Sequence, residues 1–137
     1  MAANTVLRWI PDGRRFVSTD STGHSVTLSA PDENFGMKPS ELILSALAGC
    51  AAFDVVGILE KKKTPLSFLE VNVTAEQDAS APWAFRKIYL QFLLKGEGLS
   101  EKSVQQAIDL SEEKYCSVAA TLRGVAEIST SFEILEG

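Results

Sequence analysis

ELILSALAGCAAFDVVGILEKKK, residues 41–63, reads as one long helix, and its coverage decides the fold. Between Leu42 and Leu59 the one formal charge is Asp54. At about 100° per residue the apolar side chains fall on every side rather than on one stripe, and a helix that is apolar all round has to be buried all round. A small sheet and one amphipathic helix cover about half of such a surface. Ser45, Ala48, Gly49, Ala52 and Val56 line up as a narrow strip of small residues, along which a second helix backbone can approach closely. The expected occupant of that strip is the same helix of a second copy. This makes a two-fold dimer with an isologous interface, the commonest oligomer symmetry. The alternative is a monomer whose second helix covers the strip.

The segment also has about the 20 residues of a membrane span. Against that stand Asp54 well inside it, the frequent Gly, Ser and Ala, and the alternating strands elsewhere, which require a water-facing side. We expect no membrane association.

The rest of the composition is that of a globular domain: 137 residues, 45% hydrophobic and 23% charged, without repeats, linkers or low-complexity tracts. One domain, residues 1–137, is expected. The net charge of −5 argues against nucleic acid as a partner, since a clustered basic face is missing. The lysines at 61–63 suit a helix C-terminus. The start, MAANTVLRWIPDG, lacks the basic region, apolar run and cleavage site of an export signal, so a cytoplasmic location with reduced thiols is expected. Two cysteines and one histidine, His24, do not supply a four-ligand zinc site, and no metal is expected.

Outward from the helix, VLRWI (6–10), RRFVSTD (14–20) and HSVTLSA (24–30) read as three short strands of an antiparallel meander. PDENFGMKPS (31–40) is a loop that places Pro39 in the first helical turn and Glu41 near the positive end of the helix dipole. LSFLEVNVTAEQ (66–77) and RKIYLQFLLKG (86–96) alternate apolar and polar residues and should pair. GLSEKSVQQAIDLSEEKYC (98–116) has Ser100 as N-cap and an apolar stripe at Val104, Ala107, Ile108, Ser111 and Tyr115, which predicts one amphipathic helix. GVAEISTSFEILE (124–136) should be a last strand. The class is α+β.

Cys50 lies among alanines and a phenylalanine, where a thiol is ordinarily inert filling. Reactivity needs an electropositive neighbour that the flanking residues do not supply, and Asp54, one turn on, opposes negative charge on the sulfur.

KPSELILSALAGCAAFDVVGILEKKK (38–63) and GEGLSEKSVQQAIDLSEEKYCSVAATL (96–122) resemble the OsmC-like (osmotically inducible protein C) family, in its small OsmC-like branch. The likeness runs from about Val6 to Leu135 and is most specific around the Gly-Cys pair and the Glu-Lys-Tyr-Cys-Ser-Val string. It implies an intertwined α+β homodimer with antiparallel sheets around two long central helices. In peroxidase members the first thiol is peroxidatic and the second resolving, roles that fall here on Cys50 and Cys116. The resemblance thus implies reduction of organic hydroperoxides through a sulfenic acid and a disulfide, with a dithiol reductant, lipoyl-linked in some relatives, and no cofactor.

Those members also set an arginine against the peroxidatic sulfur and hold it with a glutamate. The arginine carries over to Arg15, before FVS, with Arg14 second. The family glutamate lies ten residues before the first cysteine, where this chain has Ser40, while Glu41 lies nine before. On one helix Glu41 is about 180° around from Cys50 and roughly 13 Å along the axis, so it would serve the other chain's pocket across a dimer. Placement of charge at the helix N-terminus is the other explanation of Glu41. A second function, from a different class, is a dimeric small-ligand-binding or redox-sensing protein with little turnover. His24 is expected at the surface, Trp9 and Trp83 in core or interface packing, and Phe53 in the core or lining an apolar pocket.

Overall fold

Strands β1 (Val6–Ile10), β2 (Arg15–Thr19) and β3 (Ser25–Ser29) form the expected antiparallel meander in the order β1-β2-β3. The turn from β1 to β2 holds Asp12 and Gly13 at positive φ, 74° and 143°, the Asp-Gly chemistry that tight hairpins favour. The register pairs Trp9 with Phe16 and Phe16 with Leu28, so Leu7, Trp9, Phe16, Val26 and Leu28 share one face. Leu28 on that face is buried, whereas Leu7 and Trp9 are each 58% exposed. The chain then returns beside β3: Met37 N–H donates to the Thr27 carbonyl and Ser29 N–H to the Met37 carbonyl. Gly36 makes this close pass possible, because a Cβ there would lie 2.4 Å from the Thr27 backbone.

This computed structural model describes residues 3–137 and divides into two units, the first ending at Ile43 and the second beginning at Leu44. Helix α1 is Pro39–Lys61. It begins on Pro39, as Pro suits a first helical position. It ends in a Schellman motif, in which Thr64 N–H reaches the Leu59 carbonyl, Lys63 N–H reaches that of Glu60, and Lys63 takes the left-handed conformation (φ 63°).

In the second unit, β4 (Phe68–Gln77) and β5 (Phe85–Lys95) pair antiparallel, as their alternation predicts. β6 (Glu127–Ile134) lies parallel to β5, so this sheet is mixed and the expectation of purely antiparallel sheets is corrected. The reason is the connection: α2 (Glu101–Leu110) and α3 (Ser117–Leu122) lie between β5 and β6, and parallel neighbours require a crossover of this length. Ser100 caps α2, its hydroxyl accepting the Ser103 N–H at 3.1 Å.

One core holds the second unit together. Leu47, Ala51, Val55 and Leu59 recur every fourth residue along α1 and are buried with Ile88, Leu90, Phe92 and Leu94 of β5 and Val104, Ala107 and Ile108 of α2. Phe92 is wholly inaccessible. Phe92→Ala is expected to cost about 3–5 kcal/mol, as large-to-small changes of buried aromatics do, and a lowered urea midpoint at unchanged slope would show it. The opposite side of α1 is open. Ser45, Gly49 and Val56 of the small-residue strip are exposed and Ala48 and Ala52 half-buried, so α2 does not cover it. Helix α1 is long and apolar enough to cross a membrane by those measures alone, but one face of it is core.

Candidate active site

Cys50 sits on α1 between Gly49, on the open face, and Ala51, in the core, and is half-buried against the core cluster. Cys116 is buried. Both are free thiols. They belong to the same unit, and Cys50 is close enough to act on the ionisation of Cys116.

The approach to Cys116 differs from the single helix expected to run on to it. After Leu110 the chain widens into a π-helical turn, Ser111–Tyr115, closed by Cys116 N–H donating to the Ser111 carbonyl at 2.7 Å. The extra residue in that turn rotates the residues after it about the helix axis, so Ser111 stays in the buried stripe with Val104, Ala107 and Ile108 while Tyr115 swings out to 54% exposure. The turn delivers Cys116 to the N-cap of α3, where its Sγ accepts the Ala119 N–H at 3.3 Å. Burial pushes the Cys116 thiol up to about 11; the neighbouring Cys50 sulfur adds to this and the Ala119 and Val118 N–H groups oppose it. Cys116 therefore stays a neutral thiol at physiological pH. Iodoacetamide at pH 8 should modify it at least about a hundredfold more slowly than a free thiol, since only the thiolate reacts, with the rate climbing about tenfold per pH unit towards pH 11. Peptide mapping after alkylation checks this.

Asp54, one turn past Cys50, is tied to the same turn: Ser111 Oγ donates to Asp54 Oδ2 at 2.8 Å. Beside it opens a cleft of about 680 Å³ lined by Phe53, Asp54, Ile58, Lys61, Leu110 and Tyr115, among others. Phe53 lines this cleft at 81% exposure, which corrects the expectation of core packing. It projects from the open side of α1, three residues on from Cys50. Trp9 and Trp83 are likewise exposed within the chain, and so is His24, as expected. Another cleft, about 530 Å³, carries Arg86 and Arg123 but also Glu112 and Glu127, so its charges offset. Burial raises the Glu112 carboxyl there, against the pull of Arg123. No cluster of three or more His, Cys, Asp or Glu suited to a metal ion occurs among the described residues.

Arg15 and Glu41 belong to the first unit. Arg15 Nε lies 3.4 Å from Glu33 Oε2, an ion pair without hydrogen-bond alignment. Its Nη2 donates to the Asp12 carbonyl at 3.2 Å, and the guanidinium lies over the Phe35 ring. Arg14 is exposed, its backbone N–H donating to Glu33 Oε1. Glu41 pairs with Lys38 at 3.0 Å on an exposed first helical turn. Two residues that sequence reasoning passed over thus gain importance. Glu33 holds the arginine but lies in a loop without periodicity; Ser111 was visible only as a polar member of an apolar stripe, which was its signal.

A family model described as OsmC-like protein matches residues 30–131. The chain is similar to Protein YhfA of Escherichia coli (strain K12), 36% identical over 129 residues that cover 94% of this chain and 96% of that protein. In three dimensions it is similar to the OsmC-like protein of Mycoplasma pneumoniae, with a TM-score of 0.84 and 20% identity over 99% of both chains. It is also similar to the organic hydroperoxide resistance protein OhrB of Bacillus subtilis, with a TM-score of 0.64 and 17% identity over 97% of this chain and 98% of that one. At those identities the two structures speak for the fold alone.

Proposed function

The chain belongs to the OsmC-like protein family, and from that premise we propose that it is a thiol-dependent peroxidase that reduces organic hydroperoxides. The observation that carries the reading is the pairing of two free thiols in one unit, one half-buried at the edge of an open helix face and the other buried and protonated beside it.

The Cys50 thiolate attacks the distal oxygen of the hydroperoxide: an S–O bond forms, the O–O bond breaks, and the alkoxide leaves with a proton as the alcohol. Cys116, neutral until then, places no second negative charge beside the reacting sulfur. Its sulfur then attacks Cys50, the S–O bond breaks, and the hydroxyl leaves with the Cys116 proton as water. A dithiol reduces the resulting disulfide. We extend the proposal to Arg15 as the cation that stabilises the thiolate, fixed in its own unit by Glu33. Glu41, paired with Lys38, serves the helix N-terminus.

We read the two units as one OsmC-like domain, since the family match runs across the boundary at residues 43 and 44. The functional form is an intertwined homodimer in a reducing, cytoplasmic setting. Two uncovered apolar surfaces support the dimer, the open side of α1 and the Leu7–Trp9 face of the first sheet, because monomers rarely leave such patches to water.

Treating the reduced protein with one equivalent of cumene hydroperoxide should yield cumyl alcohol and a Cys50–Cys116 disulfide by mass spectrometry. Protein showing neither that disulfide nor an oxidised Cys50 ends the peroxidase reading. The cleft beside Asp54 favours one other reading, a dimeric small-ligand-binding or redox-sensing protein with little turnover.

A further inference from the structure

We propose that Asp54 and Ser111 are positioning residues: together they latch the π-helical turn to α1 and so set the approach of Cys116 to Cys50. The path is short. Asp54 stands one helical turn past Cys50 on α1; its Oδ2 accepts the Ser111 hydroxyl at 2.8 Å, and the Ser111 carbonyl accepts the Cys116 backbone N–H at 2.7 Å. Two hydrogen bonds thus join the helix that carries one thiol to the backbone that carries the other.

Core packing holds the turn at its far end through Cys116 and Ala119, but few side chains of the turn itself are anchored. The buried stripe of α2 runs through Val104, Ala107 and Ile108, and Leu110 is already exposed. Within Ser111–Tyr115 only Ser111 is buried, while Glu113, Lys114 and Tyr115 are exposed. The Arg123 guanidinium donates to the Glu112 carbonyl and ties the turn to the end of α3, not to α1. A π turn has the weaker backbone geometry of a short irregular segment, so its position depends on such ties. A carboxylate acceptor makes the Ser111 bond charge-assisted and strong for its type.

The inference rests on the peroxidase reading for its use in catalysis: the latch shortens the life of the Cys50 sulfenic acid. It is testable without any peroxide. In a glutathione redox buffer the two thiols exchange with oxidised glutathione, forming one intramolecular disulfide and releasing two reduced glutathiones, and the equilibrium constant reports the effective concentration of one thiol at the other. Losing one charge-assisted hydrogen bond corresponds to roughly a tenfold change in an equilibrium. Ser111→Ala and Asp54→Ala are each expected to lower the constant about tenfold, or about 30 mV for this two-electron couple. Asp54→Asn retains an acceptor oxygen for the Ser111 hydroxyl but loses the charge, so it should fall about threefold below the parent, while Asp54→Ala/Ser111→Ala should lose no more than either single change.

Circular dichroism confirms that each variant is folded. If Ser111→Ala does not fold, the Asp54→Ala and Asp54→Asn pair carries the test, since Asp54 is half-buried on a helix and both replacements keep that helix. Equal constants for the parent and the Ala variants overturn the latch; so does an Asn variant as poor as the Ala variant, and so does a parent that forms no Cys50–Cys116 disulfide with oxidised glutathione. A parent that forms the disulfide with glutathione but is untouched by cumene hydroperoxide sinks the peroxidase reading and leaves the latch to be judged by the variants.

Discussion

Cys50→Ser is expected to reduce the consumption of cumene hydroperoxide to the uncatalysed rate, while Cys116→Ser should support about one turnover per protein and then stop, with Cys50 driven on to sulfinic and sulfonic acid. The asymmetry comes from the setting of each thiol. Cys50 is half-buried at the border of the core, so part of it stays accessible, whereas Cys116 is buried, caps α3 and is held protonated by that burial. An alcohol oxygen in place of the Cys50 sulfur has neither the nucleophilicity nor the accessible ionisation needed for attack on the O–O bond. Without Cys116 the sulfenic acid forms normally and lacks the neighbour that condenses with it. Peroxide loss tracked beside intact-mass measurements separates the two variants. Equal steady turnover by both would assign the chemistry elsewhere.

Gly49→Trp is expected to abolish the proposed homodimer. Gly49 lies on the small-residue strip of α1, and a Cβ built there meets nothing within 4 Å, so a side chain can leave the helix at that point without meeting the rest of the isolated chain at its first atom. Between two α1 helices at the close approach that small residues permit, about 8–10 Å between axes, the same indole overfills the interface. The substitution therefore probes association with little direct damage to the core formed by Leu47, Ala51, Val55 and Leu59. Sedimentation should find the parent a dimer at micromolar concentration and the variant a monomer or a soluble aggregate with its apolar faces bare. A parent that sediments as a folded monomer, or a variant as dimeric as the parent, removes this strip from the interface.

Most of the secondary structure was legible in the residues because it depends on local periodicity and termini. Short apolar-rich runs separated by turn residues marked the first meander, and the apolar density of residues 42–59 marked α1. Ser100 marked the start of α2 because its hydroxyl is what an N-cap requires. The family too was legible, in the two cysteine segments and their order along the chain.

Tertiary structure alone decided the rest. The parallel direction of β6 depends on where α2 and α3 carry the chain, which alternation within a strand does not encode. The π turn inserts one residue into a helical period, so Tyr115, counted into the buried stripe, faces outward while Ser111 stays in. Glu33 on Arg15 and Ser111 on Asp54 join residues far apart in the chain, and no spacing announces such pairs. Periodicity is a property of a segment and survives without the rest of the molecule. The burial that keeps Cys116 protonated and the hydroxyl that binds Asp54 exist only after packing has removed water and brought distant residues together.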